Sequence, residues 1–161
     1  MQSNLSNVSS RPPNLGKRHV EVMDDLEKML DQGESFSTMS ELAKTLKISL
    51  RTLYEIATSK EELIVATVYR VLKKHGKIAM DAIKEHSSPI KKLESFLAVA
   101  NQAVGPRLEK FTLPLANLST SKSMVNYHEQ YITDFIKSLL DEAKNQKEIK
   151  DIYTQATAML L

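Results

Sequence analysis

Arg51 and Lys60 lie in one short stretch, FSTMSELAKTLKISLRTLYEIATSKEEL from Phe36 to Leu63, which has hydroxyl side chains at its joints and no glycine or proline. A guanidinium fork can engage guanine bidentately. A lysine in the first turn of a helix adds a point charge where backbone N–H groups already favour an anion. Both are binding chemistries aimed at base edges and phosphates. Catalytic arrangements are missing. His19, His75, His86 and His128 never stand three or four apart, and none has a glutamate three residues before it, so a metal site built on helical spacing is not expected. HEQYI at His128 is not H-E-x-x-H. There is no phosphate-cradling glycine loop, no nucleophile elbow and no cysteine. The expectation is a protein that is not an enzyme and needs no cofactor or metal.

Composition narrows the setting. A chain of 161 residues, 42% hydrophobic and 26% charged, is near the size of one globular domain. It has no run of roughly 18 apolar residues and so no predicted membrane span. The opening residues MQSNLSNVSSRPPNLGKR lack the apolar run of a secretory signal, and the absence of cysteine fits a reducing compartment, so a cytoplasmic location is expected. The net charge of +2 makes no case by itself for nucleic acid. Its distribution says a little more: residues 1–20 carry Arg11, Lys17 and Arg18 against no acid, and residues 44–60 carry Lys44, Lys47, Arg51 and Lys60 against Glu55 alone.

The elements that must position these groups are helices throughout. Apolar spacing is helical wherever the chain is periodic, and no stretch alternates like a strand. After an arm to about Gly16, Val20, Met23, Leu26, Met29 and Leu30 predict one face of a first helix ended near Gly33. Thr38 with Glu41 forms a capping box, and Met39, Leu42, Ala43 and Leu46 follow at helical spacing for a second. Ser49 caps a third with Leu50 or Leu53, Ile56 and Ala57 on its apolar face; Ser59 with Glu62 opens a long fourth, to about His86 and roughly 40 Å in length. Ser88 and Pro89 open a fifth, closed by Gly105-Pro106. Leu108, Phe111, Leu115 and Leu118 suggest a sixth, Met124 to about Lys147 a seventh, and Ile152 to Leu161 an eighth. Two short amphipathic helices joined by a tight turn must pack across one another, as in a helix-turn-helix. An ordinary three-helix corner has the same spacing.

A finer pattern favours the helix-turn-helix. SELAKTLKISLRTLYEIATSKEEL resembles the DNA-binding segment of the TetR family of transcriptional regulators: Ala43 in the first helix of the pair, Ile48-Ser49 at the turn, Thr52-Leu53-Tyr54, then Ser59 to Leu63 opening the next helix. The resemblance is specific over residues 18 to 70. It implies an all-α homodimer with a flexible arm (1–16), a helix-turn-helix head (17–63) and a helical regulatory and dimerisation body (64–161). It further implies a ligand-responsive regulator, with a repressor on a palindromic operator as the leading form. The resemblance makes Thr38 and Thr52 hydroxyl donors to DNA, Tyr54 a phosphate-contacting tyrosine and Lys60 the phosphate-binding lysine. Arg51 is the candidate for base readout, with Ser49 and Leu50 as further contacts and Lys17 and Arg18 as phosphate contacts or simply parts of a soluble arm.

Three positions depart from the family pattern. Lys47 stands where the turn usually has glycine, Ile56-Ala57 where an aromatic pair is usual, and Glu55 adds a negative charge to the helix meant to face phosphates. Glu55 and Lys47, with the modest net charge, favour the alternative of a helical dimeric interaction module with a vestigial head. In the body, Phe96, Phe111, His128, Tyr131 and Phe135 are expected either to line an effector cavity between the fourth and seventh helices or to form plain core. The last helix carries an apolar stripe, Ile152, Tyr153, Ala156, Met159 and Leu160. Its expected meaning is either a truncated chain, dimerisation through this stripe together with Tyr127, Ile132, Ile136 and Leu139, or simple folding onto its own core.

Overall fold

The computed structural model describes residues 16–34, 37–104 and 119–161, all of them helix or short connection. The expected sixth helix, with Phe111, and nearly all of the arm lie outside the described residues. Seven α-helices are described: α1 Lys17–Gln32, α2 Met39–Thr45, α3 Leu50–Ile56, α4 Lys60–Ala82, α5 Pro89–Val104, α6 Ser119–Asn145 and α7 Thr154–Leu160.

Hydroxyls start the helices because the first N–H groups of a helix have no internal acceptor. Thr38 Oγ1 accepts from Glu41 N at 3.1 Å, Ser49 Oγ from Thr52 N at 3.1 Å, Ser59 Oγ from Glu62 N at 3.1 Å and Ser88 Oγ from Lys91 N at 3.3 Å. Glu41 and Glu62 reach back in turn to Ser37 N (2.7 Å) and Thr58 N (2.9 Å).

Helix ends repeat one device. Gly33 takes a left-handed φ of 72° while its N–H bonds Leu30 O and Glu34 N–H bonds Met29 O. Lys47 makes the same turn at φ 51°, with N–H groups of Lys47 and Ile48 on the carbonyls of Lys44 and Ala43. Lys47 thus adopts a backbone conformation that costs a non-glycine residue about 1–2 kcal/mol. α4 stops at Ala82, short of the expected His86. Residues Ile83–Glu85 tighten into a 3-10 turn and His86 is extended, which ends the helical run before Ser88 caps the next helix.

The head core joins Val22, Met23, Leu26 and Met29 of α1 to Met39, Leu42 and Ala43 of α2, Leu53 and Ile56 of α3, Ala57 and Leu63. Val20, expected on the apolar face of α1, is 37% exposed and Val22 is buried instead. At 100° per residue Val22 lies on the Leu26 and Met29 side of the stripe, whereas Val20 falls at its rim. A second cluster, Leu30 with Val68 and Val71, seams α1 to the middle of α4. The body core joins Ala79, Leu93, Phe96, Ile136, Leu139, Leu140 and Ala158. Ile136 and Leu139 therefore belong to the chain's own core, not to the second dimer face expected of them. The expected boundary at 63/64 falls inside α4, which carries Leu63 into the head core and Ala79 into the body core.

Candidate nucleic-acid interface and body groove

α3 buries Leu53 and Ile56 and turns Leu50, Arg51, Tyr54 and Glu55 outward, so its polar face is one continuous surface. Leu50 is 40% exposed and Tyr54 51%, so the phenol is accessible and not packed as a helix aromatic. The Arg51 side chain is 88% exposed, and its Nε donates to Glu55 Oε1 at 3.0 Å. Glu55 Oε2 lies 3.1 Å from His19 Nε2 of α1. Hydrogen bonds from His19 first, then Arg51, hold the Glu55 carboxyl below its ordinary range.

The other expected contacts are accessible. Thr38 and Ser49 are exposed; Thr52 is half-buried, its hydroxyl 2.8 Å from that of Ser49. Lys60 is half-buried in the first turn of α4, with Nζ 4.0 Å from Glu61 Oε1. Lys17 and Arg18 are exposed at the start of α1, and Arg18 Nη1 pairs with Glu21 Oε2 at 3.1 Å. Sequence reasoning missed the role of His19. The available signal was its place on the α1 stripe with Met23, Leu26 and Leu30, four, seven and eleven positions on, which aims it at the other head helices.

In the body a groove of about 370 Å³ opens between α4, α5 and α6. Of the aromatic candidates, Phe96, His128 and Tyr131 line it. Phe135 does not; its ring packs on Phe96 with centroids 4.9 Å apart and planes at 58°. Phe111 lies outside the described residues. The groove adds residues that aromatic spacing did not single out: Tyr69, Lys73, His75 and Lys77 from α4, and Tyr127 from α6. No Asp or Glu is among the described lining residues. Burial pushes His128 below its ordinary range, with Glu129 opposing weakly.

α4 ties groove to head. Arg70 and Lys74 each follow a groove residue, Tyr69 and Lys73, and turn the other way. Arg70 Nη2 bonds Asp24 Oδ1 at 2.5 Å, and Lys74 Nζ lies 3.5 Å from Glu27 Oε1. Among the described residues no helix is long and apolar enough to cross a membrane.

An all-α chain with this capped three-helix head and a helical body has a helix-turn-helix architecture. No protein-family profile matches it. It is 30% identical over 132 residues to "Uncharacterized HTH-type transcriptional regulator YvaF" of Bacillus subtilis (strain 168); the match takes in 75% of this chain and 64% of that protein, so the chain spans less than two thirds of the relative's length. Among solved structures its fold matches "Crystal structure of apo AibR", with a TM-score of 0.61 at 14% identity, covering 89% of this chain and 80% of that one. The chain is all-α, shares its fold with that solved structure, and is related to an HTH-type transcriptional regulator.

Proposed function

We propose that this chain is a ligand-responsive DNA-binding transcriptional regulator, a repressor that binds a palindromic operator as a dimer. The observation that carries the reading is the outward face of α3, where Leu50, Arg51 and Tyr54 stand clear of the core beside the lysine-bearing start of α4. A short helix so presented can enter a major groove with its N-terminal residues leading, while Lys60, Thr38, Thr52 and Ser49 hold phosphates and Lys17 and Arg18 add charge from α1. Dimerisation is supported by the exposed apolar row of Tyr153, Met159 and Leu160 at α7.

The groove is the effector site. Its size suits a small molecule. Lys73, Lys77, His75 and His128 with three tyrosines favour an amphipathic ligand bearing an anion. Such a ligand releases DNA only if it prefers the arrangement of α4 that spaces the heads wrongly, since equal affinity for both states shifts nothing. The Asp24–Arg70 and Glu27–Lys74 pairs are the physical link, because they fix α1 to the helix that lines the groove.

Selection of bound duplexes from a random pool at moderate salt tests the reading. Enrichment of a palindrome is the expected result. No sequence preference even at low salt would overturn it, and would favour the second reading, an interaction module with a vestigial head. The observation behind that second reading is the pairing of Arg51 with an acid on its own helix.

A further inference from the structure

Glu55 stands one helical turn after Arg51 on the outward face of α3. A free carboxylate there would repel the phosphates the helix approaches. This carboxylate is not free: Oε1 accepts from Arg51 Nε at 3.0 Å, and Oε2 lies 3.1 Å from His19 Nε2 of α1. The two bonds use opposite oxygens of one group, so the carboxylate is gripped from a neighbouring helix and itself grips the arginine.

The atom by which Arg51 is gripped matters. Bonding through Nε leaves both terminal nitrogens of the fork without a partner among the described residues, on a side chain that is 88% exposed. The end of a guanidinium carries two parallel N–H donors, which match the O6 and N7 acceptors on the major-groove edge of guanine. An arginine is rotamer-rich, and one held in place before binding loses less freedom when it binds.

We propose that Glu55 is a positioning residue, anchored by His19, that holds Arg51 end-on for guanine and so sets specificity at one base pair of each half-site. The proposal rests on the DNA-reading function above. It inverts the meaning of the acid in α3, making it part of the readout and not a sign of a vestigial head.

The test compares the full chain with Arg51→Ala, Glu55→Ala, Glu55→Gln, His19→Ala and His19→Gln. Each is titrated against the selected duplex and against duplexes carrying one substituted base pair. Arg51→Ala identifies the pair that Arg51 reads, where wild type should discriminate by about 5- to 150-fold. Glu55→Ala should lower discrimination at that pair by about 5-fold or more while leaving the other positions unchanged. Its affinity for a scrambled duplex should hold or rise, because a negative charge is gone. Glu55→Gln and His19→Gln keep hydrogen-bonding groups and should fall between wild type and the alanine variants, and His19→Ala should lower the same ratio less than Glu55→Ala. Equal thermal midpoints separate positioning from folding.

Unchanged discrimination in Glu55→Ala, or a uniform gain on every duplex, would overturn the positioning role and leave the DNA reading standing. If wild type prefers no sequence, the DNA reading fails and this proposal falls with it. Loss of discrimination at every position together would show a structural role for Glu55 and overturn the proposal as well.

Discussion

Arg70 of α4 donates from Nη2 to Asp24 of α1 at 2.5 Å, while its Nη1 lies 3.7 Å from the buried Glu27. Glu27 is only 7% exposed, and Arg70 and Lys74 are among the groups that compensate its charge. Arg70→Met should therefore destabilise the chain by about 1–3 kcal/mol, because a desolvated carboxylate loses a partner. The double variant Glu27→Met with Arg70→Met should recover most of that loss. Urea unfolding checks both; a single variant no weaker than the double would show the pair to be inert.

Lys47 carries a left-handed φ of 51° that glycine adopts without strain. Lys47→Gly should stabilise the chain by up to about 1 kcal/mol, less than the full strain because glycine also gains freedom in the unfolded chain. The thermal midpoint should rise by roughly 2–4 °C. A lower midpoint would mean that the lysine side chain contributes more than its backbone costs.

Hydrogen bonds from Thr58 hold the Glu62 carboxyl below its ordinary 4.5. A depressed carboxyl contributes stability that is present above the unfolded-state pKa and lost as pH falls through the folded-state pKa. Glu62→Gln should thus be less stable than wild type at pH 7, with the gap closing below about pH 4.5. Unfolding midpoints measured from pH 7 to pH 3 show it; a gap that persists unchanged in acid would contradict the capping role.

An anionic amphipathic dye, 8-anilinonaphthalene-1-sulfonate, should bind the body groove saturably, and Lys73→Gln and Lys77→Gln should each weaken it. Burial disfavours the charged form of His128, and a bound anion favours it, so binding takes up a proton. Affinity should rise as pH falls through the range below 6.5, the ordinary value for histidine. Binding that ignores pH, both lysines and His128→Phe would remove the anion preference.

Local chemistry was the legible part of this fold. Thr38, Ser49, Ser59 and Ser88 were readable as caps because each cap acts on a backbone N–H three residues away; the glycine missing at Lys47 marked an unusual turn but left open whether the lysine would take the positive φ or the turn would tighten in another way. Contacts between distant segments were not. Glu148 caps α5 through Ser88 Oγ (2.7 Å) and Ile90 N (3.1 Å), and His19 reaches Glu55 across the head; nothing in periodicity pairs residues so far apart. The groove was half legible. Aromatic spacing selects Phe96 and Tyr131 but equally selects Phe135, which packs in the core, and it has no means of selecting Lys73 or Lys77.

Whether α3 reads bases while the start of α4 holds phosphate is tested most directly by measuring affinity for the selected palindrome against salt concentration in wild type, Arg51→Ala and Lys60→Ala. Lys60→Ala should weaken every duplex alike and flatten the logarithmic salt slope by about one unit for each phosphate it no longer neutralises. Arg51→Ala should instead cost about 1–3 kcal/mol on the palindrome and relax preference at one base pair of each half-site. Equal, sequence-independent losses in both variants would contradict this division of labour.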